Sequence, residues 1–274
     1  MKSQVSDINI STLPYLFFNA DGVLLNNEIH IMGSGNSNYY QSHYKYDGDS
    51  WISVSTLPYV FYFGSAVVLN NEIHILGGVN DSVSTLHYKY DGNKWSTVST
   101  LPFKFHQSTA IVYNNEIHLL GSYSSATTMR NHYKWNGSAW ISVNTLPYNF
   151  CFGSAVILNN EIHILGGNQT GSKNHYKYDG STWTSVSTLP YNINSGSSVV
   201  YNDEIHILGG EDTYAINHYK WNGTAWTLVS TLPYKFQQGY AEVFNNQIQI
   251  LGSAINSFTK YHYAINSTIY YEIV

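Results

Sequence analysis

Cysteine, proline, arginine and charge are all scarce in this chain of 274 residues. Each shortage excludes something. The single cysteine, Cys151, rules out a disulfide within the chain, so stability has to come from burial. That is compatible with a cytosolic chain, or with a secreted one stabilised by other means. Charged residues make up 11% of the sequence, with a net charge of −5. Average globular domains carry roughly 25%. No basic stripe exists, and nucleic-acid binding loses its electrostatic footing. No stretch approaches the roughly 20 apolar residues of a membrane-spanning helix. The first ten residues, MKSQVSDINI, lack the apolar region of a signal peptide, and the localisation is left unassigned. Sustained helical periodicity is missing throughout.

What is present is apolar and aromatic. Apolar residues reach 43%, enough for a real core, and the chain holds 25 tyrosines, 11 phenylalanines and 7 tryptophans. The sequence also repeats itself. GSAVVLNNEIHILGG at Gly64–Gly78 returns at Gly153–Gly167 with one change, Val68 to Ile157. All six prolines stand in a Thr-Leu-Pro step: Pro14, Pro58, Pro102, Pro147, Pro190 and Pro233, spaced by 44, 44, 45, 43 and 43. Strand-like repeats of that length are propeller blades.

Each unit reads as four strands. A short strand follows the proline and begins with small residues, as an innermost strand crowded round an axis requires. An Asn-Asn step, such as Asn70-Asn71, follows; asparagine tolerates positive φ, so the step predicts a tight hairpin. The second strand, Glu-Ile-His-Ile-Leu, ends in glycine, which lets neighbouring backbones approach. After a variable loop come His-Tyr-Lys-Tyr or His-Tyr-Lys-Trp, an Asp-Gly or Asn-Gly turn, and a fourth strand led by Trp51, Trp95, Trp140, Trp183 or Trp226. The tryptophans are expected between blades. This predicts an all-β, six-bladed propeller with four antiparallel strands per blade. Residues 1–11 form an N-terminal strand or clasp. Residues 12–274 form the propeller, with repeats starting near 12, 56, 100, 145, 188 and 231. Two segments compete to be the sixth blade's fourth strand. The tail is preferred, with Tyr270 at the tryptophan position; Val5–Ser11 is the alternative.

This combination of inner strand, Asn-Asn, Glu-Ile-His-Ile-Leu-Gly-Gly, Tyr-Asp and Trp resembles the kelch repeat. The resemblance implies a β-propeller. Its particular wording is similar to kelch arrays of bacterial surface proteins and phage tail proteins, which implies a virion or cell-surface setting. Histidine replaces the family's usual tyrosine before the double glycine, and the Tyr46-to-Trp51 spacing is short.

Repeated residues belong to the scaffold; residues that differ between units are free to serve function. Eleven of the twelve histidines fall at two repeated positions, and copies in separate blades are too far apart to share a metal ion. They read as bonding groups between blades, to Glu, Tyr or backbone, as do the repeated glutamates. The fourth residue after each proline varies: Phe18, Tyr62, His106, Cys151, Asn194, Gln237. So does the fifth: Asn19, Phe63, Gln107, Phe152, Ser195, Gln238. Both rows precede the inner strand and are expected to ring the mouth of the central channel, on the face that carries the variable loops. There Tyr39, Tyr40, Tyr62, Tyr123 and Tyr214 offer sugar-stacking faces. Asn19, Gln107, Asn168, Asn194, Gln237 and Gln238 offer amides. Arg130, the only arginine, either pairs with a ligand carboxylate or is a solvated loop charge. Asp81, Glu211 and Asp212 either bind a cation or solvate their loops.

The leading reading is a non-enzymatic recognition module for glycan or protein, without cofactor, metal or catalytic residues, either monomeric or part of a larger chain. The alternative is an enzyme resembling kelch-type sugar mutarotases or isomerases, using His106, Arg130 and Glu242, a lone carboxylate on the last inner strand where its counterparts are Val23, Val67, Ile111, Val156 and Val199. A copper oxidase built on Cys151, His106 and Tyr62 has too few ligands and lacks that family's extra domains.

Overall fold

The Asn-Asn steps carry positive φ at both central residues, for example 52° and 62° at Asn70 and Asn71. That is the primed hairpin geometry, whose twist matches the strands it joins. Each turn joins an inner strand to its partner in strict register, as in Leu25 opposite Glu28 and Leu69 opposite Glu72. The computed structural model describes residues 8–78, 85–168, 172–210, 212–255 and 260–265. Its strands form six four-stranded antiparallel sheets, the blades of a β-propeller. Three single-turn 3-10 segments, Ser37–Tyr39, Thr128–Arg130 and Asp212–Tyr214, lie in the loops of blades one, three and five. No helix among the described residues is long and apolar enough to cross a membrane.

The core is divided by interface. Six apolar clusters each combine residues of two neighbouring blades; Val23 and Met32 of blade one, for instance, pack with Leu57, Phe61 and Ile73 of blade two. The third residue after the proline, Phe17, Phe61, Phe105, Phe150 or Phe236, is fully buried there. Its carbonyl meets the glycine that ends the previous blade's second strand. At Gly33, Gly77, Gly121, Gly209 and Gly252 a Cβ would sit 1.9–2.0 Å from that oxygen. Glycine is therefore required by the contact between blades as well as by its positive φ.

The ring closes by pairing an early strand with three late ones in one sheet. Tyr240–Phe244, Gln247–Leu251 and Tyr261–Ile265 supply three strands of blade six. Ile8–Thr12 supplies the outermost one, pairing Asn9 with Tyr263 and Ser11 with His262. The N-terminal stretch thus takes the position for which the tail is preferred on sequence. Tyr270 lies outside the described residues.

The repeated histidines are scaffold of a specific kind. Within each of five blades, Nδ1 of the inner histidine lies 2.7–2.9 Å from Nε2 of the outer one: His30–His43, His74–His87, His118–His132, His163–His175 and His206–His218. In blade six Gln249 replaces the inner histidine, and His262 Nε2 donates to its Oε1 at 2.6 Å. An amide oxygen only accepts, so Nε2 of the outer ring carries the proton and Nδ1 is left as an acceptor. A serine hydroxyl fills that acceptor: Ser99 on His87, Ser187 on His175, Ser11 on His262, at 2.8–2.9 Å. The same oxygens accept the indole N–H of the next blade's tryptophan, Trp140, Trp226 and Trp51, at 3.0–3.1 Å. The histidines thus bond to each other inside a blade and reach the next blade through serine and tryptophan. The hydrogen-bond partners are thus not the glutamate and tyrosine expected on sequence: tyrosine meets the outer histidine only by ring contact from the next blade, as in His43–Tyr90 and His132–Tyr178, and the glutamates pair with lysine, as in Glu28–Lys45 and Glu204–Lys220.

One link is missing. Asn144 stands where the other units have serine, and both His132 Nδ1 and Trp183 Nε1 are buried without a hydrogen-bond partner. Asn144→Ser is expected to restore the link between blades three and four. The gain should be about 1–2 kcal/mol, the cost of leaving buried polar groups unpaired. A rise in the urea midpoint at unchanged slope checks it.

Candidate functional site

At the loop-bearing face the six blades are joined by a closed circle of main-chain hydrogen bonds. Asn19 N–H donates to the Gln238 carbonyl, Phe63 to Asn19, Gln107 to Phe63, Phe152 to Gln107, Ser195 to Phe152, and Gln238 to Ser195, at 2.5–2.9 Å. Every member has φ between 51° and 58°. The left-handed region costs a residue with a Cβ about 1–2 kcal/mol. The cyclic bonding holds all six there.

This circle separates the two variable rows. Asn19, Phe63, Gln107, Phe152, Ser195 and Gln238 rim an axial cavity of about 510 Å³ that continues down the inner strands. Phe18, Tyr62, His106, Cys151, Asn194 and Gln237 are not among its lining residues. They lie at the bases of the variable loops instead. The carbonyls of Phe18, His106, Cys151 and Gln237 accept N–H groups from Gly35, Tyr123, Asn168 and Ala254. The Phe18 ring fills the space a side chain at Gly35 would need. Cys151 is fully buried, and burial pushes its thiol up to about 11. His106 is 8% exposed and its Nδ1 has no partner; burial lowers its pKa, opposed by the hydrogen bond its ring makes to the Gln107 side chain. The sequence had no way to tell the rows apart, because a positive φ at the fifth residue sends two adjacent side chains in different directions.

The rim is two-sided. Phe63 touches Tyr62 at a ring separation of 5.4 Å, and Tyr62 stacks on Tyr40 from the neighbouring loop at 4.9 Å and 15°. Phe152 touches Tyr123 at 5.2 Å, and Tyr123 meets the His106 ring edge-on. Blades two and four thus put phenylalanine on the rim with Gln107 between them, and Tyr40, Tyr62, Tyr123 and His106 extend the aromatic side behind it. Blades five, six and one present Ser195, Gln238 and Asn19. The other loop candidates do different work. Tyr39 and Tyr214 stack on Tyr15 and Tyr191 of the blades. Arg130 is exposed, with Nε donating to the Leu146 carbonyl. Asn168 and Asn194 bond each other, Asn194 Nδ2 donating to the Asn168 carbonyl. Asp81 and Glu211 lie outside the described residues.

Below the rim, the wall is acidic on one side. Asp21, Tyr240 and Glu242 line the cavity, and among the described residues no lysine, arginine or histidine does. Asp21 Oδ2 accepts from the Ala66 N–H at 2.8 Å and the Ser65 hydroxyl at 3.1 Å. Glu242 Oε1 accepts from the Val243 N–H at 2.8 Å, and the Tyr240 hydroxyl bonds Oε2. Burial raises both carboxyls, Asp21 to about 6, with Glu242 adding to the shift of Asp21. Tyr240 is held well above its ordinary value by burial and by Glu242. Asp21 and Tyr240 went unnoticed on sequence. The signal was available: at their position, the one opposite the last residue of the second strand, the other blades have Ser65, Thr109, Ser154 and Ser197. Among the described residues, no three of His, Cys, Asp and Glu converge as a metal would require.

No family model and no curated protein matches this sequence. Solved structures do resemble it in shape. One of them, described as "Structure of YjhT", superimposes with a TM-score of 0.79 over 94% of this chain and 96% of that one, at 14% identity. At that identity the likeness is one of fold: the chain is built as a six-bladed β-propeller.

Proposed function

We propose that this kelch-like propeller is a recognition module that binds glycan on its loop-bearing face. The observation that carries this reading is the two-sided rim. Aromatic rings over one arc supply stacking surfaces for the apolar face of a sugar, and amides and hydroxyls over the other bond its hydroxyl groups. The variable loops converge on the same face, while the opposite face repeats the Asn-Asn turns. The phage-tail or bacterial-surface wording of the repeats fits a protein that meets glycans outside a cell.

A glycan array tests the reading. Wild type should give a defined set of positive sugars. Tyr62→Ala, which removes the ring between Tyr40 and Phe63, should weaken them by roughly tenfold, the range of one aromatic contact. A silent array, or an unchanged pattern in Tyr62→Ala and in a rim variant alike, would refute it. A second reading draws on the Asp21–Glu242 pair: two carboxyls in one cavity, both shifted upward, suit acid–base chemistry on a sugar. Catalysed anomerisation that is lost in Glu242→Gln would favour a mutarotase-like enzyme.

A further inference from the structure

The chain treats left-handed backbone in two ways. After the second strand of every blade it places glycine: Gly33, Gly77, Gly121, Gly166, Gly209 and Gly252, all with φ of 61–70°. At the rim, where φ is equally positive, it never does. It places Phe twice, Gln twice, Asn and Ser. Asparagine tolerates this conformation; phenylalanine and glutamine rarely adopt it. The hydrogen-bond circle does not explain the choice, since it uses only main-chain groups, which glycine also has. Strain retained at six side chains that share one cavity mouth points to a role for those side chains.

The circle also consumes the main-chain groups of the rim, so a ligand there has only side chains to read. Beneath them the cavity is closed to anions by chemistry. Its wall carries two carboxyls, several hydroxyls and no cationic side chain, and no ion pair involves Asp21 or Glu242 among the described residues. Arg130 is tied to Leu146 and does not line the cavity.

We infer that the axial cavity seats the end of a glycan carrying a free amine, with the rim residues selecting its shape and Asp21 and Glu242 holding its ammonium group. This rests on the glycan-binding reading above and narrows it: acidic sugars are rejected, and N-acetylated or neutral ones bind less well. A protonated amine gives the two carboxyls the counter-charge that the protein withholds. Phe63 and Phe152 clasp the ring faces while Gln107 and Gln238 bond hydroxyls.

Calorimetric titration at neutral pH with four tetrasaccharides tests this: a chitosan tetramer, its fully N-acetylated counterpart, cellotetraose and an oligogalacturonide. The chitosan tetramer should bind about tenfold or more tighter than the acetylated one, as expected for one charge-assisted hydrogen bond, and the galacturonide should not bind. Asp21→Asn and Glu242→Gln should abolish the preference, whereas Asp91→Asn, an exposed acid on the turn after the third strand, should leave it intact; that separates the cavity from general attraction of a polycation to an acidic protein. Gln107→Gly should weaken binding while its thermal midpoint stays at or above that of wild type, a combination a merely structural role does not produce. Equal binding of the galacturonide, or a preference that survives both carboxyl variants, overturns the inference. Loss of binding in Tyr62→Ala with no change in Gln107→Gly or Phe152→Gly also overturns it, and leaves a loop-bound glycan standing. Silence of wild type towards all four tetramers overturns this inference alone if the array is positive, and both readings if the array is silent.

Discussion

Between pH 7 and about pH 5 the protein is expected to unfold in one cooperative step, driven by its paired histidines. Burial is the first cause of their depressed basicity. His30, His74, His118, His163, His206 and His262 are lowered to about 4, and His43, His87, His132, His175 and His218 to about 3. An unfolded histidine protonates near 6.5. As pH falls through 6.5 towards 4 the unfolded chain therefore binds protons that the folded one refuses, and stability is lost across that window. The two members of a pair share one hydrogen bond, so the safest count is one proton per blade. Six such protons remove roughly 8 kcal/mol per pH unit, against a total stability of about 5–15 kcal/mol. Asp21 and Glu242 act in the opposite sense, since carboxyls raised in the folded state gain as pH falls through their folded values, but they are only two. Far-ultraviolet circular dichroism against pH, with proton uptake from urea melts at several pH values, measures the effect. His206→Gln, which copies the Gln249–His262 bond of blade six, keeps one buried ring in blade five and should leave the midpoint close to that of wild type. A native spectrum retained at pH 4 would show that the pairs are not neutral, bonded rings.

Gly77→Ala is expected to cost more than about 4 kcal/mol and to abolish folding in a marginal background, whereas Gly92→Ala should cost only about 1–2 kcal/mol. Both glycines have positive φ, 63° at Gly77 and 92° at Gly92. A Cβ at Gly92 meets nothing within 4 Å. At Gly77 it would stand 2.0 Å from the Phe105 carbonyl, main chain that moves only if blades two and three part. The difference between the two variants in chemical denaturation isolates the contact between blades from the backbone penalty. Similar losses at both sites would mean that the blades tolerate separation at their inner ends.

The scaffold was legible because it is said six times. Asn-Asn turns, terminal glycines and leading tryptophans each have one physical use, and repetition averages away the exceptions. The exceptions are where sequence reasoning ran out. Asn144 looks like a conservative change from serine until its hydroxyl's two partners, His132 and Trp183, are seen together. Ile8–Thr12 was hard to choose as the closing strand because Asp7 holds the place of a tryptophan, so its best marker was absent. In the site, the fourth and fifth residues after each proline were equally variable and equally near the axis in sequence terms. Only the left-handed turn at Asn19, Phe63, Gln107, Phe152, Ser195 and Gln238 decides that the fifth faces the cavity. Glu242 stood out against its valine counterparts; Asp21 and Tyr240 hid in a column of small polar residues.

Blade six draws three strands from residues 240–265 and its fourth from residues 8–12. During synthesis, then, Ile8–Thr12 is made before blades one to five and waits for Tyr261–Ile265, which is made after them. Five blades can stack as they appear, since each needs only its neighbour. Until Tyr261–Ile265 arrives, the nascent chain exposes the apolar flank of blade one, and Ile8–Thr12 is an unpaired edge available to any other chain. Slow translation, or a stall near residue 240, is the point at which this molecule is most exposed to aggregation.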